Sequence, residues 1–112
     1  MENLFFSICG SLYNSIRDIA INYGNSDRID IETSEVGLSL FSDDLELCEI
    51  KVLDDKIDII YKVRVIDGKA VKAFETTDTY DLNYNVKEVL AKVIDDIEPL
   101  IIADINEDED IM

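Results

Sequence analysis

Two short turns in the middle of the chain constrain the fold most, because together they set the pairing of three consecutive strands. Asp67-Gly68 is the dipeptide of a two-residue type I′ hairpin turn, with strand-like residues on both sides. Asp54-Asp55 is a second candidate tight turn. Counting outward predicts the pairs Val65–Ala70, Val63–Lys72 and Tyr61–Phe74 in one hairpin, and Val52–Ile57, Ile50–Ile59 and Cys48–Tyr61 in the other.

The two predicted hairpins agree about which face of the sheet is apolar. Both place the same row of residues on one face, with Lys72 as the polar exception; the row is Ile57, Ile59, Tyr61, Val63 and Val65. A slip of one residue in either hairpin would turn this row to the other face, so the agreement supports the register. On the opposite face Lys51 meets Asp58, and Glu49 and Glu75 flank Ile60.

Other patterns predict the remaining elements. Strand-like runs cover residues 28–33, 36–40, 45–53, 56–66 and 69–80. Apolar residues at spacings of three and four predict a helix over 3–23, with Gly24 at its C-terminal end. Gly10 lies inside this helix, where close packing against the sheet would explain it. Asn85, with Glu88 in capping-box position, begins a second helix that Pro99 stops or kinks.

These elements predict an α+β fold. An N-terminal helix precedes an antiparallel meander of about five strands, and a C-terminal helix follows it. Two apolar helix stripes and one apolar sheet face predict two layers, with both helices on the same side of the sheet and a polar, mostly exposed opposite face. Residues 1–105 are predicted to form this single domain, and residues 106–112 an acidic, flexible C-terminal tail.

The charge of the chain narrows the class of partner. It has 26 acidic and 10 basic residues, no histidine and a net charge of −16, yet 47% of its residues are apolar. Such a chain can build a core, but direct binding to nucleic-acid phosphate or an anionic membrane is disfavoured. No apolar run is long enough to span a bilayer, and no signal-peptide pattern opens the chain.

The sequence carries few groups suited to catalysis. Without histidine, Ser-His-Asp and Cys-His sites are excluded, and no glycine-rich phosphate-binding motif is present. Cys9 and Cys48 form no CxxC pair, so we interpret them as buried free thiols in a reducing, cytoplasmic setting; a disulfide between them is the alternative. No cofactor or metal is predicted, and the chain is predicted not to be an enzyme. A carboxylate and divalent-metal enzyme is the minor alternative.

The leading hypothesis uses the acids as a binding surface. Alternate strand residues lie about 6.6 Å apart, close to the spacing of phosphates along a nucleic-acid strand. Glu46 would extend the array only if it faced outward, whereas the inferred register groups it with Cys48. The candidate surface residues are Asp30, Glu32, Asp43, Asp44, Asp54, Asp55, Asp95, Asp96 and Glu98. The chain would be a non-enzymatic domain that docks on a basic protein surface, and in the sharper form a phage-type DNA mimic that fills the nucleic-acid groove of an enzyme.

Two other interpretations stay open. The acids can serve only to keep a small domain soluble. Alternatively, the chain is an assembly factor, immunity protein or chaperone-like adaptor that binds through an apolar patch, or a homodimer built on such a patch. The candidate patch residues are Leu45, Leu47, Phe41 and residues 100–102, and each of them is also a candidate for the core.

Overall fold

A computed structural model describes residues 2–83 and 85–105 and has the predicted α+β fold. An N-terminal helix, an open antiparallel sheet of five successive strands and a C-terminal helix follow in order, and a short sixth strand ends the described chain. The elements are α1 (Glu2–Asn22), β1 (Ile29–Thr33), β2 (Gly37–Ser42), β3 (Leu45–Val52), β4 (Lys56–Ile66), β5 (Lys69–Asp81), α2 (Val86–Ile102) and β6 (Asp104–Ile105).

The sheet has the simplest possible topology, with the strands in chain order from β1 to β6. The predicted register of β3 against β4 is confirmed by the pairs Cys48–Tyr61, Ile50–Ile59 and Val52–Ile57. Near the second turn, β4 and β5 pair as predicted at Val63–Lys72 and Val65–Ala70. Asp67 and Gly68 have φ angles of 53° and 78°, as the type I′ turn requires.

The core lies between the helices and one face of the sheet. Fully buried residues recur along α1 at Ile8, Leu12 and Ile16, and α2 buries Val93 and Ile97. The two helices pack against each other, α1 against β1–β3 and α2 against β4 and β5. The meander strands contribute Leu38, Leu40, Leu47, Cys48, Ile50, Ile57 and Ile59 to the same cluster. The side of the sheet away from the helices carries the polar residues.

The helix ends follow the local chemistry of the sequence. Gly24 has φ 75° and ends α1, and the next amide, on Asn25, donates to the Ala20 carbonyl. The Asn85 side chain caps α2 by accepting a hydrogen bond from the Lys87 amide at 3.0 Å. Pro99 lies inside α2 and does not stop it.

Gly10 does not pack against the sheet as expected. It is exposed on α1, and a Cβ atom built on it would have no neighbour within 4 Å. The residue therefore supports no close approach of backbone to backbone. It leaves the helix less stable than alanine would at the same position.

The predicted pair Tyr61–Phe74 is wrong, because β5 contains a bulge. Tyr61 pairs with Thr76 and Val63 with Lys72, so three residues, 73–75, lie opposite the single residue Lys62. The two extra residues leave the alternation of faces intact on both sides of the bulge, because the side-chain period of a strand is two. For the same reason Ile60 lies opposite Thr77 and not beside Glu75, which forms a 2.6 Å ion pair with Lys62.

A second bulge, in β3, changes which of its residues reach the core. Leu40 and Phe41 pair with Cys48 and Glu46, which leaves Leu47 as the extra residue. Both Leu47 and Cys48 are fully buried, whereas strict alternation predicts Leu47 on the opposite face. Glu46 consequently lies opposite Phe41 and not on the Cys48 face.

Strand β6 was not predicted. It lies parallel to the start of β5, with Asp104 opposite Lys69 and Ile105 opposite Ala70. A strand of two residues is too short to show a periodic pattern in the sequence. The pairing of β6 with β5 therefore depends on where α2 ends relative to the sheet. The predicted flexible tail, residues 106–112, lies outside the described residues.

Candidate functional site

The outer face of β1–β3, on the side of the sheet away from the helices, carries four carboxylates around an aromatic ring. Asp30, Phe41 and Glu46 lie in one row across the three strands, because Asp30 pairs with Phe41 and Phe41 with Glu46. The next row contains Glu32, Ser39 and Glu49 in the same way. We call Asp30, Glu32, Glu46 and Glu49 the acidic sheet face.

The geometry of this face follows from the spacing of strands. The two acids of a row stand two strands apart, or about 10 Å between Cα atoms, and Asp30 and Glu32 are about 7 Å apart along β1. Asp30 and Glu32 are exposed, while Glu46, Glu49 and the Phe41 ring are half-buried. The face therefore presents charge around a partly apolar centre, on a rigid sheet.

Charge is segregated along the chain and hence across the sheet. Residues 29–50 hold seven acids and no lysine or arginine; the acids are Asp30, Glu32, Glu35, Asp43, Asp44, Glu46 and Glu49. Six of the 10 basic residues fall in the next segment, at Lys51, Lys56, Lys62, Arg64, Lys69 and Lys72. Because the strands lie in chain order, the region without a cation covers β1, β2 and the first six residues of β3. Five of the six cations lie on β4 and β5, and the sixth, Lys51, lies on β3 two residues after Glu49.

The structure does not bring the nine predicted surface acids together. Asp30 and Glu32 lie on the acidic sheet face. Asp43-Asp44 and Asp54-Asp55 occupy the turns at opposite ends of β3, which the eight residues of that strand hold roughly 30 Å apart. Asp95, Asp96 and Glu98 are on α2, in the helix layer. All nine are exposed except Glu98, which is half-buried.

Two of the α2 acids bind neighbouring tyrosines. The Tyr80 hydroxyl donates a hydrogen bond to the Asp96 carboxylate, and the Tyr23 hydroxyl donates to Glu98 at 3.4 Å. Burial and the bond to Asp96 raise the pKa of Tyr80 above its usual range. Burial also raises the pKa of the adjacent Tyr61 to about 12. Asp96 and Glu98 thus link α2 to neighbouring elements, which gives them a structural role.

Sequence reasoning missed half of the acidic sheet face. Strict alternation groups Glu46 with Cys48, and the predicted register makes Glu49 only a neighbour of Ile60. The bulge at Leu47 moves Glu46 to the outer face and places Phe41 at the centre. The available signal was the run of residues 29–50 without a cation, which marks three adjacent strands as one acidic region.

Other kinds of chemistry have little support in the described residues. In ranges 2–83 and 85–105, no group of three or more cysteine or carboxylate side chains is arranged to hold a metal ion. Cys9 and Cys48 are both free, and burial together with the charge of Glu46 raises the pKa of Cys48 to about 12, so this thiol is a poor nucleophile. No helix in the described part of the chain is long and apolar enough to cross a membrane.

A comparison with known protein families, curated proteins and solved structures finds no match for this chain.

Proposed function

We propose that this chain is a non-enzymatic, cytoplasmic binding domain whose acidic sheet face docks on a basic surface of a partner protein. The observation that carries the proposal is the row structure of that face, with four carboxylates around Phe41 and no cation between residues 29 and 50. Charges held in fixed positions on a sheet attract an oppositely charged partner. They also favour a partner whose own charges are at matching positions.

The sharper form of the proposal is that the partner's basic surface is the nucleic-acid groove of an enzyme, which this domain would block as a DNA mimic. Carboxylates about 7 Å apart along β1 match the repeat of backbone phosphates. Phe41 adds an apolar ring on which a guanidinium group can stack. Arginine is the residue that nucleic-acid grooves use most for bidentate contacts, and it pairs with carboxylates in the same way.

The first experiment tests the face with two variants of equal charge. Asp30→Asn, Glu32→Gln, Glu46→Gln and Glu49→Gln are combined in one variant, and Asp18→Asn, Asp54→Asn, Asp55→Asn and Asp95→Asn in the control. Each changes the net charge from −16 to −12. The immobilised proteins are exposed to a lysate of the source cells, and captured proteins are eluted with a salt gradient.

We expect the face variant, and not the control, to lose the captured partner. Each exposed charge pair is worth about 0.2–1 kcal/mol, so removing four should lower the affinity by about fourfold or more. Capture should weaken with salt, because screening acts on exposed charges. For the sharper form, duplex DNA added to the lysate should displace the partner. Equal capture by both variants, or capture that is insensitive to salt, would contradict the proposal.

The alternative of binding through an apolar patch is not supported at the residues predicted from the sequence. Leu47, Leu100 and Ile101 are buried in the core, Leu45 and Phe41 are half-buried, and Ile102 is 38% exposed on the last turn of α2. These residues form no continuous exposed surface. Among the residues that the structure describes, Phe74 is the large apolar side chain most exposed to water.

A further inference from the structure

Strand β1 is an edge of the sheet, because within the described part of the chain it pairs with β2 on one side and with no strand on the other. Hydrogen bonds at both ends of β1 show which of its backbone groups β2 uses. The Asp43 amide donates to the Arg28 carbonyl at 2.8 Å, and the Ser34 amide donates to the Gly37 carbonyl at 2.9 Å. Residues 28 and 34 are therefore hydrogen-bonded positions of this antiparallel pair, and such positions recur at every second residue.

This alternation directs a row of backbone groups to the outer side of β1. The amides and carbonyls of Asp30 and Glu32 face β2, so those of Ile31 and Thr33 point away from the sheet. The Ile29 carbonyl points the same way, while its amide is bonded within the preceding turn. We call the outward groups of Ile29, Ile31 and Thr33 the β1 edge. They offer an added strand two amides and three carbonyls.

The side chains of β1 set what an added strand must carry. Residues directly opposite each other in adjacent strands lie on the same face of the sheet. On the outer face the added strand would lie beside Asp30 and Glu32, which are both exposed. On the helix face it would lie beside Ile31 and Thr33. There a groove of about 620 Å³ opens between the end of β1 and the N-terminal part of α1.

Two aromatic rings form the helix side of that groove. Phe5 and Phe6 contact each other edge to face, with their ring centroids 5.5 Å apart. Phe6 is 69% exposed and Phe5 is half-buried. The other wall consists of Thr33, Ser34 and Glu35. An apolar side chain that points from the added strand toward α1 would therefore lose contact with water against these rings.

The charges of β1 decide between the possible occupants of the β1 edge. Cationic side chains on the outer face would pair with Asp30 and Glu32, whereas acidic side chains would be repelled. A second copy of β1 is disfavoured for this reason. Antiparallel pairing of two copies about Ile31 would place Asp30 of each copy opposite Glu32 of the other.

The other edges of the sheet suit a cationic strand less well. Strand β6 covers the start of β5, and the bulge at residues 73–75 interrupts the hydrogen-bonding row farther along. The part of β4 that extends beyond Tyr61 carries Lys62 and Arg64, which would repel a cationic strand. Strand β1 pairs with β2 without a register shift and carries no cation.

We propose that the β1 edge receives an extended, cationic segment of the partner protein as an additional antiparallel strand. In this segment lysine or arginine, which pairs with Asp30 and Glu32, alternates with apolar residues that face the groove beside α1. Backbone hydrogen bonds to Ile31 and Thr33 supply affinity, and the alternating side chains supply specificity. The inference rests on the proposed function, because it names the form in which a basic partner meets the acidic sheet face.

The test uses the 15N-labelled full chain and a capped seven-residue peptide in which lysine and valine alternate. A titration followed by the chemical shifts of the backbone amides gives the dissociation constant at low and high salt. We expect the largest shifts at Ile31 and Thr33, and weaker binding in high salt because screening acts on the exposed charge pairs.

Two N-methylated forms of the peptide are the matched controls, because each methyl group removes one amide donor and obstructs approach from that side. In the proposed antiparallel pairing the valine amides face β1 and the lysine amides face away. Methylation of the valine amides should raise the dissociation constant by at least about tenfold. Methylation of the lysine amides should leave it unchanged.

A pair of protein variants tests the same edge from the other side. Thr33→Pro removes an outward amide and places a ring in the path of the added strand, and proline is tolerated at an edge position whose amide faces away from the sheet. It should raise the dissociation constant by at least about fivefold. Thr33→Ala keeps the amide and should bind the peptide normally. Circular dichroism establishes that both variants are folded.

Three results would overturn the inference: no chemical-shift change at millimolar peptide, equal binding of the two methylated peptides, or full affinity in a folded Thr33→Pro variant. The methylated peptides decide the matter even if Thr33→Pro fails to fold. These results leave the proposed function standing as long as capture of the partner still depends on salt and on the acidic sheet face. Equal capture by the face variant and its control removes the proposed function instead.

Discussion

Backbone conformation at single glycines decides how closely the strands of this sheet can approach each other. Gly37 begins β2 with φ 152°, and a Cβ atom there would stand 1.9 Å from the carbonyl oxygen of Ile50. No side chain can occupy that position without moving β3. Gly10 is the opposite case, because it is exposed on α1 with open space around it.

These two glycines give opposite predictions for the same substitution. Gly37→Ala should lower the free energy of unfolding by at least about 2 kcal/mol, since the methyl group strikes backbone and the φ angle is unfavourable for alanine. Gly10→Ala should raise it by up to about 1 kcal/mol through helix propensity. Urea unfolding followed by circular dichroism measures both. A tolerated Gly37→Ala would mean that β2 and β3 pair less closely than described.

At the scale of elements, two bulges distinguish this sheet from a regular meander. The bulge in β3 buries Leu47 beside Cys48 and turns Glu46 outward. The bulge in β5 exposes Phe74. The first of these bulges completes the acidic sheet face, and the second leaves an aromatic ring without a partner on its own strand.

The β3 bulge predicts a specific order of stability among leucine variants. Leu47→Ala should cost about 2–5 kcal/mol, because it empties a fully buried site. Leu45→Ala should cost less, since Leu45 is only half-buried at the start of the strand. Strict alternation predicts equal, small effects for both. Chemical denaturation of the two variants distinguishes the bulged strand from the regular one, and equal effects would contradict the bulge.

At the scale of the whole molecule, the charge of −16 is distributed unevenly. The outer face of β1–β3 carries four acids with Lys51 at its end, β4 and β5 carry five of the 10 basic residues, and α2 has acids of its own. Because segments of different charge occupy neighbouring strands, a single small domain presents surfaces of different sign. An even distribution of charge would favour solubility alone, whereas segregated charge is what the proposed binding through the acidic sheet face requires.

The pH dependence of stability is a property of the whole fold. Cys48 and Tyr61 have pKa values raised from 9.0 and 10.0 to about 12, and that of Tyr80 is also raised. The unfolded chain loses these protons first, so the folded state binds more protons above pH 9. Stability from these groups is therefore complete below pH 9 and is lost as the pH rises toward 12.

We expect the free energy of unfolding to fall between pH 9 and 12, by up to about 1.4 kcal/mol per pH unit for each group. The more exposed tyrosines should contribute less than this limit because solvent screens them. Urea unfolding at pH 8, 9.5 and 11 measures the slope. Cys48→Ala should flatten the part between pH 9 and 10, and an unchanged slope in this variant would refute the assignment to Cys48.

Much of the fold could be predicted because its signals are local. Three examples are the Asp67-Gly68 turn, the alternation in β1 and the Asn85 cap. Each involves residues within a few positions of one another, and each is compatible with one local structure: a hairpin turn, a strand and the start of a helix. The period of two along a strand also explains why the predicted core face of β4 is correct although the predicted partner of Tyr61 is not. The two extra residues of β5 leave the side chains before and after the bulge on their predicted faces and change only the residue that lies opposite Tyr61.

The sequence by itself determined the order of the two helices and the five meander strands, the pairing next to the two tight turns and the apolar face that meets the helices. Only the tertiary structure decided the bulges at Leu47 and Phe74, the pairing of β6 with β5 and the division of the acids among separate surfaces. The physical reason is distance along the chain. Turns and periodicity act between near neighbours, whereas a bulge or a shared surface depends on how strands far apart in sequence pack against α1 and α2.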